Sequence, residues 1–204
     1  MAEFIHRDPG RAGFWDERFE RGFTPWNRGA VPQALIEYTN DFQDAQTCLI
    51  PGCGHAYELG FLLQLAWDVT AIDFSPAAVD AARALFPAHA ERIVEADFFQ
   101  FTPATEVTLI YERAFLCALP PAMRKQVVAR WAQLLPAKGR VIGFFFVDDD
   151  PASSKKGPPF RITSNDLLDL MRQDFVCIGD SPIADSLPVF EGKERWQVWE
   201  RRGD

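Results

Sequence analysis

The chain has 204 residues, of which 48% are hydrophobic and 25% are charged, and this composition is typical of one globular α/β domain spanning residues 1–204. The formal net charge of -8 argues against a nucleic-acid partner, because backbone phosphates are bound by clustered Lys and Arg. No apolar run approaches the ~20 residues that cross a bilayer, and the N-terminus has no signal-peptide core. We therefore expect a cytoplasmic protein, a monomer, with no membrane partner.

The cysteines give no sign of a metal site or of disulfide bonds. They are Cys48, Cys53, Cys117 and Cys177. No two of them form a Cys-x-x-Cys pair, so we expect reduced thiols. Cys53 and His55 flank Gly54, but the spacing does not suit a metal and no second ligand pair follows, so we expect no metal.

The N-terminal segment is rich in aromatic residues. Trp15 and Phe19 fall on a predicted helix, and Trp26 stands in the Thr-Pro-Trp loop that follows it. One interpretation is a helix held to the core by its rings. The other is a lid over a planar or sulfonium ligand, because aromatic faces attract cations. We predict a helical lid region over residues 1–45.

A strand, a glycine turn and a helix follow. The apolar run 47–50 leads into Pro-Gly-Cys-Gly, with Gly52, Cys53 and Gly54 in the turn, where a residue without Cβ lets a ligand approach the backbone. A dinucleotide fingerprint needs glycine at the position that Tyr57 occupies. A nucleoside cofactor without phosphates, such as S-adenosylmethionine, therefore fits better than a dinucleotide.

The remaining pattern alternates strands and helices. Strands are predicted near 47–50, 68–73, 92–96, 107–111, 140–147, 175–178 and 195–200, with helices between most of them. This order predicts a doubly wound, mostly parallel, seven-stranded sheet with one antiparallel strand, a Rossmann-like α/β fold.

Charged residues follow three of these strands, at the edge where open α/β sheets bind ligands. Asp73 follows the second strand and suits a ribose diol. Asp97 follows the third and either meets an adenine edge or only caps a turn. Glu112 and Arg113 follow the fourth, where they form either part of the active site or a surface ion pair. The later loop 148–160 is either solvated or a cover over the substrate.

Several motifs in order resemble the thiopurine S-methyltransferase family, which also holds halide/thiol methyltransferases. They are Phe14-Trp15-Asp16-Glu17-Arg18-Phe19, Thr24-Pro25-Trp26, Ile50-Pro51-Gly52-Cys53-Gly54, Ala71-Ile72-Asp73-Phe74-Ser75, Ala96-Asp97-Phe98-Phe99, Glu112-Arg113-Ala114, Cys117-Ala118-Leu119-Pro120-Pro121 and Gly157-Pro158-Pro159-Phe160. The resemblance covers nearly the whole chain and implies a class I methyltransferase fold with S-adenosyl-L-methionine as cofactor.

The resemblance also implies a role for each matching position. The implied cofactor-binding residues are Trp15, Phe19, Trp26, Gly52, Cys53, Gly54, Asp73, Phe74, Asp97, Phe98 and Arg113. Arg113 is also the implied catalytic residue, near the sulfonium and the substrate. The chain departs from many members by carrying Phe19 where they have a second tryptophan. The stretch from Glu112 mixes motifs of the thiopurine and halide/thiol branches, so the substrate class stays open.

The predicted activity is methyl transfer to a small soft nucleophile, a thiol or a thiopurine sulfur. Halide and selenium or tellurium methylation are alternatives within the class. A nicotinamide-dependent oxidoreductase and a catalytically silent binding module are alternatives of other classes. An activated sulfonium methyl needs little acid–base machinery, so catalysis is expected from positioning and water exclusion, with Arg113 raising the thiolate fraction of the acceptor.

Overall fold

The computed structural model describes residues 3–203 of the chain. Its helices are α1 (Ala12–Glu20), α2 (Gln33–Thr39), α3 (Tyr57–Gln64), α4 (Pro76–Leu85), α5 (Arg124–Leu134) and α6 (Ser164–Met171). Its strands are β1 (Thr47–Pro51), β2 (Asp68–Asp73), β3 (Ile93–Glu95), β4 (Leu109–Arg113), β5 (Arg140–Phe146), β6 (Phe175–Pro182) and β7 (Glu194–Arg201). Within residues 3–203, no helix is both long enough and apolar enough to cross a membrane.

The seven strands form one sheet in the order β3-β2-β1-β4-β5-β7-β6. The first five strands in this order, β3 to β5, run parallel to one another, and β7 runs antiparallel to both β5 and β6. The predicted sheet is therefore confirmed. Because β1, β2, β4 and β5 point the same way, their carboxyl ends meet at one edge.

Helices cover both faces of the sheet. Along β4, Leu109 and Tyr111 pack toward α2, α3 and α4, while Ile110 packs toward α5 and α6. This alternation follows from the two-residue period of a strand, and burial on both faces explains why the central strands are apolar throughout. The result is a three-layer sandwich with two apolar cores.

One glycine fixes how closely the two central strands approach. Gly143 of β5 pairs with Glu112 of β4, at a φ of 142°. A Cβ atom on Gly143 would lie 1.7 Å from the Glu112 carbonyl oxygen. Only glycine fits there, and the contact places the end of β4 at the edge of the sheet.

The boundaries of some elements differ from those predicted. The sequence predicts Ser164 as the cap of α6, but Thr163 caps it, because the Thr163 hydroxyl accepts a hydrogen bond from the Asp166 amide at 3.1 Å. The Ser164 hydroxyl instead lies 2.6 Å from an oxygen of Asp149. Strand β4 begins at Leu109 rather than residue 107. Strand boundaries depend on pairing with neighbours, which local sequence does not encode.

Helix α1 lies outside the sheet and is attached to α4. The Asp16 carboxylate accepts hydrogen bonds from the Ser75 hydroxyl at 2.6 Å and the Ala77 amide at 3.2 Å. It thereby satisfies free donors at the start of α4. Glu17 is buried and accepts bonds from the amides of Ile5 and His6. These two carboxylates hold the N-terminal segment beside the carboxyl edge of the sheet.

Candidate active site

A cavity of about 440 Å³ opens at the carboxyl edge of the sheet. Its size lies in the range of small-ligand sites. Of the predicted site residues, the cavity is lined by Trp15, Phe19, Trp26, Gly52, Cys53, Gly54, Asp73, Phe74 and Arg113. Only Asp97 and Phe98 lie elsewhere. The structure thus brings together residues up to about half the chain apart in sequence.

The glycine turn at the floor of the cavity needs left-handed backbone conformations. The φ angles of Gly52, Gly54 and Ala56 are 59°, 53° and 53°. A Cβ atom on Gly52 would lie 2.6 Å from the ring of Phe115. The Cys53 amide donates to the Ile72 carbonyl at 3.0 Å, which ties the turn to β2. Sequence reasoning did not identify Ala56, which adopts a conformation rare for residues other than glycine.

Asp73 ends β2 with its carboxyl group on the cavity wall. It accepts hydrogen bonds from the amides of Gly54 at 3.1 Å and Ser75 at 3.0 Å. Burial raises its pKa to about 6, against the lowering effect of these amides. Two carboxylate oxygens offer about four acceptor sites, so capacity remains for hydroxyl groups of a ligand.

Asp97 and Phe98 border a smaller adjoining cavity of about 80 Å³. That cavity shares Gly52, Asp73 and Phe115 with the larger one. Asp97 accepts from the Phe99 amide at 2.9 Å and from the Gln100 side-chain amide at 3.1 Å, so it does cap a turn. Asp97 lies beside the main cavity and not in its wall, so its contact with an adenine stays a prediction.

An aromatic wall closes the N-terminal side of the cavity. The rings of Trp15 and Trp26 meet edge to face at 5.4 Å, and Phe19 contacts Trp26 at 6.2 Å. On its other side Phe19 packs against His55 at 5.1 Å. The indole N–H of Trp15 donates to the Pro9 carbonyl at 2.8 Å. The rings therefore line the cavity and hold the N-terminal segment together.

Arg113 forms an ion pair with Glu58 of α3 at 3.5 Å, and both side chains are largely buried. The Tyr111 hydroxyl donates to the same carboxylate at 3.3 Å. The interpretation of Arg113 as one half of a surface ion pair with Glu112 is wrong, because the partner is Glu58 and the pair is buried. Glu58 was missed, although an acid on the apolar helix after a glycine turn is a usable signal.

Glu112 points away from the cavity. It is 1% exposed and accepts hydrogen bonds from the amides of Phe115 and Leu116 at 3.1 Å each. Burial raises its pKa to about 8, while the two amides lower it. Its role is to hold the turn that brings Phe115 over the glycine turn.

The far end of the cavity is built from segments that the sequence did not connect. Cys117, Phe146 and Phe190 form a small apolar cluster with Trp26 and Leu187. The loop between β6 and β7 supplies Phe190 and Leu187, and no motif had identified it. Gly157, Pro158 and Pro159, from the predicted substrate cover, also line this end.

The two thiols that line the cavity are not activated. Burial raises the pKa of both Cys53 and Cys117 well above the usual range, and nearby carboxylates raise it further. They stay neutral at physiological pH, so neither is a nucleophile. Among residues 3–203, no three His, Cys, Asp or Glu side chains gather into a metal site.

Solved structures with this fold include methyltransferases. A 1,6-didemethyltoxoflavin-N1-methyltransferase from Burkholderia thailandensis, bound to 1,6-didemethyltoxoflavin and S-adenosylhomocysteine, superposes with a TM-score of 0.74 at 18% identity. The match covers 100% of this chain and 94% of that one. A TehB-like methyltransferase from Corynebacterium glutamicum superposes with a TM-score of 0.64 at 19% identity, over 96% and 100% of the two chains. At these sequence identities, the comparison establishes a shared fold and nothing more.

Sequence relatives are closer. A probable thiol methyltransferase 2 of Arabidopsis thaliana is 29% identical, with 79% of this chain and 73% of the relative aligned. Thiocyanate methyltransferase 1 of the same plant is 24% identical, with 98% of this chain and 89% of the relative aligned. A thiopurine S-methyltransferase of Marinobacter nauticus is 26% identical, with 79% of this chain and 82% of the relative aligned.

The model of one protein family, described as Thiopurine S-methyltransferase, matches residues 10–202. This span includes the glycine turn, Asp73, Arg113 and both loops of the far end. The relatives are named as methyltransferases, and the family uses S-adenosylmethionine as methyl donor. The chain is an S-adenosylmethionine-dependent methyltransferase and belongs to the thiopurine S-methyltransferase family.

Proposed function

We propose that the chain methylates the sulfur of a small apolar thiol. One observation carries this proposal: the glycine turn, Asp73, Arg113 and an aromatic and proline wall all line one cavity. The names of the relatives, which include thiol and thiopurine S-methyltransferases, support a sulfur acceptor.

We infer that the cofactor lies across the glycine turn. Gly52 and Gly54 leave the turn without Cβ atoms beside its amino-acid end, and Asp73 has acceptor capacity for the ribose hydroxyls. Trp15, Phe19 and Trp26 supply the ring faces that favour a cation, and Cys53 and Phe74 complete the wall. The cofactor supplies a methyl group on a sulfonium, activated for direct transfer to a nucleophile.

The acceptor end suits a soft nucleophile with an apolar body. Its walls are Trp26, Cys117, Pro158, Pro159 and Phe190, which exclude water and contact apolar groups. Arg113 is the catalytic residue in this proposal. A cation near a bound thiol favours the thiolate, which is the reactive form. Positioning the sulfur in line with the methyl group supplies the rest of the rate.

Further parts of the proposal concern organisation. We infer that residues 1–45 act as a lid, since the Asp16 carboxylate holds α1 to α4 at the cavity's side and the Glu17 carboxylate holds residues 5 and 6 to α1. We also propose a single domain over 1–204 and a cytoplasmic monomer that binds no nucleic acid, which the net charge of -8 supports.

The test supplies methyl-labelled S-adenosylmethionine and offers hydrosulfide, an aryl thiol, a thiopurine, iodide and selenite separately. Label is counted in headspace and in solution. We expect label on the aryl thiol or thiopurine, retained in solution. Label only from iodide or selenite would contradict the proposal and favour a halide or metalloid methyltransferase. No label with any acceptor, in protein that binds the cofactor, would also contradict it.

The role of Arg113 has its own test. Arg113→Ala is expected to lower thiol turnover about tenfold or more while the dissociation constant of the cofactor changes little, since the thiolate loses its neighbouring cation. Arg140→Ala is the matched control, because Arg140 also pairs with a glutamate but lies at the opposite edge of the sheet. Equal turnover of the Arg113 variant and the wild type would refute the role.

A further inference from the structure

Glu58 is the carboxylate that faces Arg113 inside the cavity. It stands in the first turn of α3, is 7% exposed and lines the cavity. Arg113 approaches it to 3.5 Å and the Tyr111 hydroxyl to 3.3 Å. A buried carboxylate is costly unless it is paired, and Arg113 supplies the pairing charge.

Two carboxyl groups act on Arg113. Glu58 pairs with it from α3 at 3.5 Å. Glu194 of β7 also acts on it electrostatically, but burial raises the pKa of Glu194, while Ser186, Arg113 and Arg28 lower it. The ring of Phe144 on β5 lies 5.1 Å from the guanidinium carbon. The positive charge of Arg113 is therefore partly offset before any acceptor arrives.

The other titratable groups of the cavity do not replace that charge. Besides Tyr57, Glu58, Tyr111 and Arg113, those that line it are Arg18, Arg28, Cys53, His55, Asp73 and Cys117. The Arg18 guanidinium stacks on Phe14, and Arg28 pairs with Asp185. Burial lowers the pKa of His55 and raises that of Cys53, so both are neutral at pH 7. Of the arginines that line the cavity, Arg28 and Arg113 are thus paired with carboxylates, and Arg18 is held by the ring and the carbonyl of Phe14.

We propose that Glu58 is a positioning residue that holds Arg113 in place and offsets part of its charge, so that Arg113 assists ionisation of a bound thiol while the site does not favour preformed anions such as halides. The inference rests on the proposed function and names its substrate class. During transfer, the thiol sulfur bonds to the methyl carbon, the bond from that carbon to the sulfonium breaks, and the thiol proton passes to water.

The test replaces Glu58 by Gln, which keeps the shape and removes the charge. Freed of its partner, Arg113 stabilises a thiolate and attracts an anion. For Glu58→Gln, the pH at which kcat/KM for an aryl thiol is half-maximal is expected to fall by about one unit. The ratio of kcat/KM for iodide to that for the thiol is expected to rise about tenfold.

The matched control is Glu200→Gln. Glu200 pairs with Arg140 at 3.1 Å, and Arg140 also contacts the Tyr38 hydroxyl at 3.3 Å, so the same three residue types meet far from the cavity. This variant is expected to leave the pH profile and the iodide-to-thiol ratio unchanged. A shift of the same size in the control would show a global effect and overturn the proposal.

A third variant, Glu58→Asp, keeps the charge but withdraws it from Arg113. We expect shifts in the same direction as for Gln and smaller, and this variant decides the matter if Glu58→Gln does not fold. An unchanged profile and ratio would overturn the proposal, as would an equal loss of both activities at every pH with unchanged cofactor binding. Thiol turnover by the wild type tests the proposed function separately.

Discussion

The two ends of the cavity are built in different ways. The proposed cofactor end comes from two short segments, the glycine turn and the end of β2, joined by backbone amides that donate to Asp73. The proposed acceptor end is assembled from three remote segments that contribute Cys117, Pro158 and Phe190. The first depends on turn geometry and the second on packing. Substitutions at the first should disturb folding and cofactor binding, and those at the second should change selectivity.

The largest expected effect is at the glycine turn. Gly52→Ala places a Cβ 2.6 Å from the Phe115 ring at a φ of 59°, so we expect a loss of about 3 kcal/mol in the free energy of unfolding and weaker cofactor binding. Gly192→Ala is the control, since its φ is 72° and nothing lies within 4 Å. Its expected cost is about 1 kcal/mol. Denaturant unfolding of both variants measures the difference, and equal costs would contradict the packing argument.

Glu112 lies under the turn that links the two ends. With its folded pKa raised from 4.5 to about 8, the folded state binds the proton more tightly than the unfolded state. Stability is therefore lost as pH rises from about 4.5 through about 8. Glu112→Gln should match the wild type in thermal midpoint near pH 5 and exceed it at pH 9. Parallel melting curves at every pH would show that Glu112 is not buried as a neutral acid.

In the proposed site, Asp73 accepts the two ribose hydroxyl groups most strongly when it is ionised. Because burial raises its pKa to about 6, cofactor affinity should fall as pH drops through that value. Asp73→Asn should weaken affinity roughly 10- to 100-fold at pH 8, the loss of a charge-assisted hydrogen bond, and should flatten this pH dependence. Calorimetric titration at pH 8 and pH 5 measures both. A variant that retains the wild-type pH dependence would exclude Asp73 as its source.

The smallest effect is expected at the acceptor end. Phe190→Leu keeps an apolar side chain but removes the ring that packs on Phe146 at 5.9 Å. We expect a stability loss of about 1 kcal/mol and a several-fold rise in KM for an aryl thiol. Cofactor affinity should stay within twofold. If cofactor affinity changed and the thiol KM did not, the division between the two ends would be wrong.

Much of the fold was predictable because it is local. Apolar runs predicted the central strands β1, β4 and β5, since a strand buried on both faces must be apolar throughout. Gly22, with a φ of 64°, ends α1, and Ser75 caps α4, as these residue types predict. These features depend only on residues that are close in sequence. Gly52 and Asp73 can be identified in the same way, from the short motifs around them.

The sequence alone predicted the family, the cofactor and nine of the residues that line the cavity, because each of the nine lies in a short local motif. Only the tertiary structure showed that Arg113 pairs with Glu58, that Glu112 is buried, and that Phe190 closes the far end. Each of these facts depends on segments far apart in the chain. Their contacts are set by how the strands and loops pack, and no local pattern records them.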